Sequence, residues 1–228
     1  MGRMLARGTP VRDNGDQARR SVFGSLKNRF SSKARSTTQL RVAIQVFKRF
    51  FDLPVEEKER LYSEDRNLSY GVKTSVDFPK EKFHFWKDTL RHPSHPQEDH
   101  LHHWPENPDR YSHMEVLGPY SMEMRDLGLQ ILDLICEGLG LENGYFGGGL
   151  SEGHLIVINH YPSCPDPTLV LGLPKHGDPH LITLFDQGDV PRLQVWKDEE
   201  WVTVEPIPNA FVVNINYYML HVPFSCFP

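Results

Sequence analysis

The strand-like pattern after residue 150 constrains the fold of this chain more than any other feature. Short runs of β-branched and aromatic residues alternate there with clusters of Pro, Gly and Asp at regular intervals. This spacing is typical of antiparallel sandwiches and barrels. We predict a hairpin turn at 197–200. The five predicted strands lie at 155–158, 181–185, 193–196, 201–204 and 211–215.

The first part of the chain has a helical period instead. Ile44, Phe47 and Phe51 recur at helical spacing in a helix that begins near Leu40, until Leu53-Pro54 interrupts them. A short, charged, solvated helix is expected at 55–61.

A second amphipathic helix follows a stretch of poor periodicity. Residues 63–112 are rich in His, Pro and Asp, and they predict a long, partly ordered connection. Residues 147–149 are three glycines, which predict a flexible joint and lack the Lys-Ser/Thr pattern of a phosphate loop. The apolar stripe of the second helix and the glycines expected to close it are Tyr120, Met124, Leu127, Ile131, Leu134, Gly138 and Gly140.

Length and composition predict a folded chain without membrane spans. The 228 residues are 39% hydrophobic and 11% aromatic, which is enough for a substantial core. No apolar run approaches the roughly 18–20 residues of a transmembrane helix, and no secretory signal is recognisable. Three cysteines are too few and too scattered for a disulfide framework or a Cys-based zinc site, so a reducing, cytoplasmic location is expected.

Charge is distributed unevenly along the chain. Residues 1–40 hold nine Lys/Arg and two Asp/Glu, a net +7, so a net charge of −5 for the whole chain leaves −12 for the remainder. The basic leader is interpreted as a disordered extension or a sequence wrongly joined to the gene, with organelle targeting or a nucleic-acid-binding arm as alternatives. The acidic main body disfavours nucleic acid as a partner.

One tripeptide carries the chemistry. In His176-Gly177-Asp178 an imidazole and a carboxylate stand two residues apart beside a predicted strand. Such a pair can supply two ligands of a non-haem Fe(II) facial triad, whose third ligand is a second His on a distant strand. The alternative for an isolated H-x-D is a surface His and Asp in a turn.

The motifs around this tripeptide resemble those of plant 2-oxoglutarate- and Fe(II)-dependent dioxygenases. Residues 159–167 (N-H-Y-P-S-C-P-D-P) are similar to the family motif N-Y-Y-P-P-C-P-x-P, and 176–183 resemble its H-x-D…L-T element. The later strands match in order, and residues 51–58 resemble the helical N-terminal module. The segments 86–90, 104–106 and 135–141 resemble the hyoscyamine 6-beta-hydroxylase-like branch. The resemblance covers about residues 40–216.

The resemblance implies a fold, a reaction and a set of site residues. The fold class is α+β, with a helical N-terminal part packed on a truncated double-stranded β-helix (jelly roll). The reaction is oxidation, by hydroxylation or desaturation, of a small-molecule substrate with Fe(II), 2-oxoglutarate and O2. His176 and Asp178 are expected to bind the metal, and Asn159 and Tyr161 the oxoglutarate. The implied domains are a leader (1–39), a helical region (40–150), a partial jelly roll (151–216) and an unrelated tail (217–228).

The chain departs from the family at both ends of the match. The family continues N-I-G-D and reaches a distal His and an Arg-x-Ser that grips 2-oxoglutarate, whereas Asn214-Ile215 is followed here by Asn216-Tyr217, with no Arg-x-Ser after Asp178. The alternative function is therefore a catalytically inactive remnant or binding fragment. A cupin-like binding protein is disfavoured because the oxygenase motifs continue to Ile215.

Other residues remain candidates for the missing groups. His221 could substitute for the distal His, His180 is expected to line the site, and Arg192 or Lys197 could replace the Arg. Two interpretations stay open for the aromatic stretch, core packing or a substrate mouth, and its members are Phe83, His84, Phe85 and Trp86. Two histidine clusters, at 92–95 and 100–103, are expected in solvated loops rather than in a metal site. Neither substrate nor oligomeric state follows from the sequence.

Overall fold

The computed structural model describes residues 2–5, 35–63, 65, 67–74, 85–108, 111, 116–166 and 168–220, without the side chains of 2–5, 35–38 and 220. The chain divides into two compact units. The N-unit comprises residues 35–125 and 149–173, and the C-unit comprises 1–34, 126–148 and 174–228. The predicted domain boundaries stay predictions.

Two helices open the N-unit. Helix α1 (Arg35–Phe51) begins earlier than predicted and ends, as predicted, before Leu53-Pro54. Phe47, Phe50 and Phe51 are buried on its apolar face, because residues three and four apart share one side of a helix. Helix α2 (Val55–Glu59) buries no residue, which confirms the solvated helix expected there.

A three-stranded antiparallel sheet completes the N-unit. It consists of β2 (Gly71–Lys73), β3 (Asp88–His95) and β4 (His154–His160), with β3 in the middle. Strand β4 confirms the strand predicted at 155–158. Helix α3 (Gln97–His100) and a 3₁₀ helix (Leu101–His103) follow β3.

The expectation of a partly ordered connection over 63–112 is therefore wrong for the residues described in that range. Alternate residues of β3 are buried as in any half-buried strand, but His92 and Ser94 stand at buried positions beside Leu90. Pro93 also argues against a central strand. The proline is accommodated because β2 pairs with β3 only as far as Arg91, so that Pro93 has β4 alone as its neighbour.

The histidines at 92–95 are not loop residues. His92 is fully buried, its ring centre lies 4.7 Å from that of Trp104, and its Nε2 is 3.2 Å from the Tyr111 hydroxyl. Burial lowers the pKa of His92 to about 3. In the cluster at 100–103 His102 is exposed, as expected, whereas the His103 ring stacks on Tyr70 at 3.8 Å. The expectation of solvated loops is wrong for His92 and His95, which lie on β3, and His92 is buried because Trp104 and Tyr111 pack around its imidazole, whereas the expectation holds for His102.

The long helix α4 (Leu117–Leu139) continues from the N-unit into the C-unit. It ends at Gly140, which has a φ of +72°, while Gly138 lies inside the helix rather than closing it. The amide of Leu141 donates to the carbonyl of Cys136, and that of Gly140 to Glu137. This pair of bonds is a Schellman motif, in which the left-handed residue is usually glycine.

Strands dominate the rest of the C-unit. β5 (Ile182–Phe185) pairs antiparallel with β8 (Val212–Ile215), and β6 (Leu193–Lys197) with β7 (Glu200–Thr203). These strands confirm the four predicted after residue 180. The predicted hairpin turn is also confirmed, since Asp198 and Glu199 have φ of 50° and 64°, as in a type I′ turn.

Three short elements complete the described chain. β1 (Gly2–Leu5) runs parallel to β6, the 3₁₀ helix Gly148–Leu150 contains two of the three glycines predicted as a joint, and α5 (Tyr217–Leu220) follows β8. Over the described part of the chain, no helix is both long and apolar enough to cross a membrane.

Candidate metal centre

His176 and Asp178 lie in the segment that leads into β5 of the C-unit. The Asp178 carbonyl accepts a hydrogen bond from the Tyr217 amide at 2.9 Å, and the Leu181 carbonyl accepts one from the Asn216 amide at 3.0 Å. These two bonds attach the segment to the residues that follow β8. Backbone bonds thus fix the chain at Asp178, the second residue of the pair, and again at Leu181.

The orientation of the His176 ring is set by its own loop. Nδ1 lies 2.8 Å from the Pro174 carbonyl oxygen, which can only accept a hydrogen bond, so Nδ1 carries a proton and Nε2 is the nitrogen that is left to face Asp178 or a metal ion. Nε2 lies 3.4 Å from Oδ1 of Asp178. Two lone-pair donors at this distance repel each other unless a cation, either a proton or a metal ion, lies between them.

The other carboxylate oxygen of Asp178 is engaged by a hydroxyl. Thr183 Oγ1 donates to Oδ2 of Asp178 at 2.8 Å, and Nδ2 of Asn216 donates to Thr183 Oγ1 at 2.7 Å. A hydrogen bond from His176 is the main cause that holds the pKa of Asp178 below its usual range, and the Thr183 bond adds to it, although partial burial acts in the opposite direction. Asp178 is therefore anionic at neutral pH.

The pair fits an iron ion in chemistry and in orientation. One neutral imidazole and one carboxylate are ligands of the two-histidine, one-carboxylate set, and their donor atoms face each other closely enough to bind the same ion. Among the described residues, no group of three His, Cys, Asp or Glu side chains could hold a metal. His180 is exposed, and His221 lies outside the described residues.

The two residues predicted to bind oxoglutarate belong to the N-unit. Asn159 lies on β4, and its Oδ1 accepts hydrogen bonds from Lys87 Nζ at 3.1 Å and Thr89 Oγ1 at 2.9 Å. Lys87 and Thr89 are both buried. Tyr161 follows the end of β4 and has 36% of its side chain exposed.

The remaining candidates have surface positions or local partners. Arg192 is exposed, and Lys197 Nζ lies 4.0 Å from the carboxylate of Asp198 in its own hairpin turn. Trp86 is 39% exposed, so the core interpretation fails for it, and Phe85 is half-buried. Phe83 and His84 lie outside the described residues.

Sequence patterns missed the residues that support these groups. Thr183 belongs to the L-T element of the motif, but nothing in the motif indicates a bond to Asp178. The only sequence signal for Asn216 is that it stands where the family motif N-I-G-D has a glycine. Lys87 and Thr89 lie in the segment that was interpreted as a connection. A prediction of strand β3 in that segment would have placed Thr89 opposite Asn159.

An α+β fold with this ligand pair defines a class, the non-haem iron oxygenases. Residues 152–227 match the family described as the 2OG-Fe(II) oxygenase superfamily, and residues 28–109 match the non-haem dioxygenase N-terminal family of morphine synthesis. The chain belongs to the 2OG-Fe(II) oxygenase superfamily.

Curated relatives come from plants. Hyoscyamine 6-dioxygenase of Hyoscyamus niger is 47% identical over 168 residues, which cover 72% of this chain and 45% of that protein. Flavanone 3-dioxygenase 2 of Oryza sativa subsp. japonica is 41% identical over 174 residues, which cover 75% and 50%. The chain thus spans about half the length of the curated relatives it matches.

Solved structures confirm the fold class. The crystal structure of JOX2 in complex with 2OG, Fe and JA is similar with a TM-score of 0.71 and 30% identity, and the match covers 84% of this chain and 57% of that one. The predicted α+β fold related to the double-stranded β-helix is therefore confirmed.

Proposed function

We propose that this chain carries part of the active site of a 2-oxoglutarate- and Fe(II)-dependent dioxygenase that hydroxylates or desaturates a small metabolite. The observation that carries the proposal is the pair of donor atoms His176 Nε2 and Asp178 Oδ1, 3.4 Å apart. The Pro174 carbonyl presents the correct imidazole nitrogen, and Thr183 engages the carboxylate oxygen that is not facing His176.

In this proposal His176 and Asp178 hold Fe(II), with 2-oxoglutarate and O2 as cosubstrates. When bound, the iron supplies the redox and O2 chemistry that amino-acid side chains lack. Asp178 contributes a negative charge that neutralises part of the ion's charge, and His176 contributes a neutral ligand. The protein's remaining task is to bind the cosubstrate and to orient the substrate.

Asn159 and Tyr161 are proposed to bind the oxoglutarate. Because Oδ1 of Asn159 accepts from Lys87 and Thr89, its Nδ2 is the atom that would donate to a carboxylate. The Tyr161 hydroxyl would donate a second hydrogen bond. The acidic main body supports a small molecule rather than nucleic acid as the partner, and the cytoplasm is the proposed location.

The second candidate is a catalytically inactive remnant or binding fragment. It is favoured by the donor set, because the described residues offer two ligands and no cluster of three. Two protein ligands hold an ion less tightly than three. The two candidates therefore differ first in metal affinity and then in turnover.

Anaerobic titration with Fe(II) separates the two candidates. We expect saturable binding that His176→Ala and Asp178→Ala each weaken at least tenfold, a factor that corresponds to about 1.4 kcal/mol. His102→Ala removes an exposed histidine as the matched control and leaves the affinity unchanged. His221→Ala tests the tail histidine as a further ligand, which would weaken binding in the same way.

Turnover is the second arm of the experiment. The iron-loaded chain is incubated with 2-oxoglutarate and O2, and succinate is measured. Succinate release that is lost in Asp178→Ala supports the dioxygenase. Iron binding without succinate supports a binding fragment, and no binding at saturating Fe(II) excludes the proposed centre from this chain.

A further inference from the structure

The hydrogen-bond chain Asn216–Thr183–Asp178 has a direction, and from it we propose that Asn216 is a positioning residue for the Asp178 carboxylate. Asn216 would act through the Thr183 hydroxyl and select Oδ1 of Asp178 as the oxygen that binds metal. The inference rests on the proposed function, because it needs a metal that His176 and Asp178 bind. It assigns a role to a residue at which this chain departs from the family motif.

The direction follows from the number of protons that each group carries. A threonine hydroxyl has one proton and two acceptor lone pairs. Since Nδ2 of Asn216 donates to Thr183 Oγ1 at 2.7 Å, the hydroxyl proton points elsewhere, and Oδ2 of Asp178 lies 2.8 Å away to accept it. The bond from Asn216 therefore leaves the single hydroxyl proton of Thr183 to be donated to Oδ2 of Asp178.

The hydrogen bond from Thr183 matters because a carboxylate has no strong rotational preference of its own. The last torsion of an aspartate side chain is broad, so neighbours decide which oxygen faces which partner. The bond from Thr183 holds Oδ2, and Oδ1 then faces Nε2 of His176. An unanchored carboxylate would sample many orientations, and fixing one of them on metal binding would cost entropy, which would weaken a site with few protein ligands.

Asn216 is itself held firmly enough to act in this way. Its side chain is 4% exposed, and its backbone amide donates to the Leu181 carbonyl at 3.0 Å. The residue lies between β8 and α5, where the motif N-I-G-D has a glycine and therefore no side chain. The donor is a feature of this chain, and it reaches Thr183 across 33 positions of sequence.

A double-mutant cycle tests the inference by Mn(II) binding, measured by electron paramagnetic resonance without O2 or 2-oxoglutarate. Asn216→Ala and Thr183→Val should each weaken binding about tenfold, as is typical when a group that orients a ligand is removed. The double variant should bind no more weakly than Thr183→Val alone, because Asn216 acts only through the hydroxyl. Thr183→Ser, which keeps the hydroxyl, should restore the affinity.

Three controls make the outcomes distinct. Thr203→Val changes an exposed threonine on β7 and should leave Mn(II) affinity unchanged. Circular dichroism and thermal unfolding verify that each variant is folded, and Asn216→Asp replaces the amide by an isosteric group without a donor if Asn216→Ala does not fold. Asn216→Asp is expected to weaken binding about tenfold as well.

The results separate this inference from the proposed function. If wild type binds Mn(II) but Asn216→Ala and Asn216→Asp bind it equally well, the positioning role is excluded and the metal centre stands. Additive losses in the double variant also exclude a route through Thr183. If wild type does not bind Mn(II), the metal centre and the positioning role both fail.

Discussion

The described residues of the two units differ in the size of their buried apolar cores. In the N-unit the side chains of α1, β3 and the residues around Trp104 and Tyr111 form a continuous buried core. Among the described residues of the C-unit the core cluster is smaller, with Leu132, Cys136, Phe146 and Met219, and neither β5 nor β8 contains a fully buried residue. The residues proposed to bind metal thus lie in the unit whose strands bury less.

In the C-unit, hydrogen bonds hold the segment that carries the proposed metal ligands. The segment 176–183 is held by backbone bonds to Asn216 and Tyr217 and by the side-chain bonds on Asp178. Directional bonds can fix the orientation of a polar ligand while leaving it partly accessible, whereas apolar packing cannot. The comparison predicts that core substitutions in the N-unit affect stability most, and polar substitutions in the C-unit affect metal binding most.

The largest expected effect tests the N-unit core. Phe50 is 1% exposed, and its ring centre lies 5.2 Å from that of Phe51 and 5.5 Å from that of Tyr111. We expect Phe50→Ala to lower the free energy of unfolding by about 3–5 kcal/mol, because it leaves a cavity among rigid aromatic neighbours. Urea unfolding measures the change. Ile207→Ala, at a site that is 72% exposed, is the control and should stay within about 0.5 kcal/mol of wild type.

The next largest effect is a pH dependence of the free energy of unfolding, which arises from two histidines of the N-unit. Burial lowers the pKa of His92 to about 3, and burial together with the charge of Arg125 lowers that of His154 to about 4. Below the usual histidine pKa the unfolded chain binds a proton that the folded chain does not, so stability is lost as the pH falls from about 6.5 towards these values. Between pH 7 and 5 each histidine should cost about 2 kcal/mol.

Urea unfolding of variants at both pH values assigns this loss. His92→Gln and His154→Gln should each reduce the difference between pH 7 and 5 by about 2 kcal/mol. His102→Gln, at an exposed position, should leave the difference unchanged. An unaltered difference in both buried-site variants would contradict the assignment.

The smallest expected effect is a change in stability at a turn of the C-unit. Glu199 has a φ of 64° in the β6–β7 turn, a conformation that glycine adopts without strain. Glu199→Gly should raise the free energy of unfolding by about 1 kcal/mol, since it converts the turn to the preferred Asp-Gly pair. Glu200→Gly, one position later in the paired part of β7, should lower it instead. Destabilisation by Glu199→Gly would contradict the turn assignment.

Sequence patterns succeeded where a local period decides the structure. The strands of the C-unit are short β-branched runs, and their turn at Asp198 and Glu199 follows from spacing alone. The pattern failed for β3, because its inward positions hold His92 and Ser94 and a proline stands between them. Binary patterning recognises apolar alternation, and a strand that buries polar groups does not display it.

The sequence by itself determined the family, the helices α1 and α4, the strands β4–β8 and the H-x-D pair, because these depend on period and on motif spacing over short distances. Only the tertiary structure decided that His92 is buried against Tyr111, 19 positions away, and that Asn216 donates to Thr183, 33 positions away. It also decided which nitrogen of His176 and which oxygen of Asp178 face each other. Such features depend on the direction of hydrogen bonds between distant residues, and that direction exists only once the chain has folded.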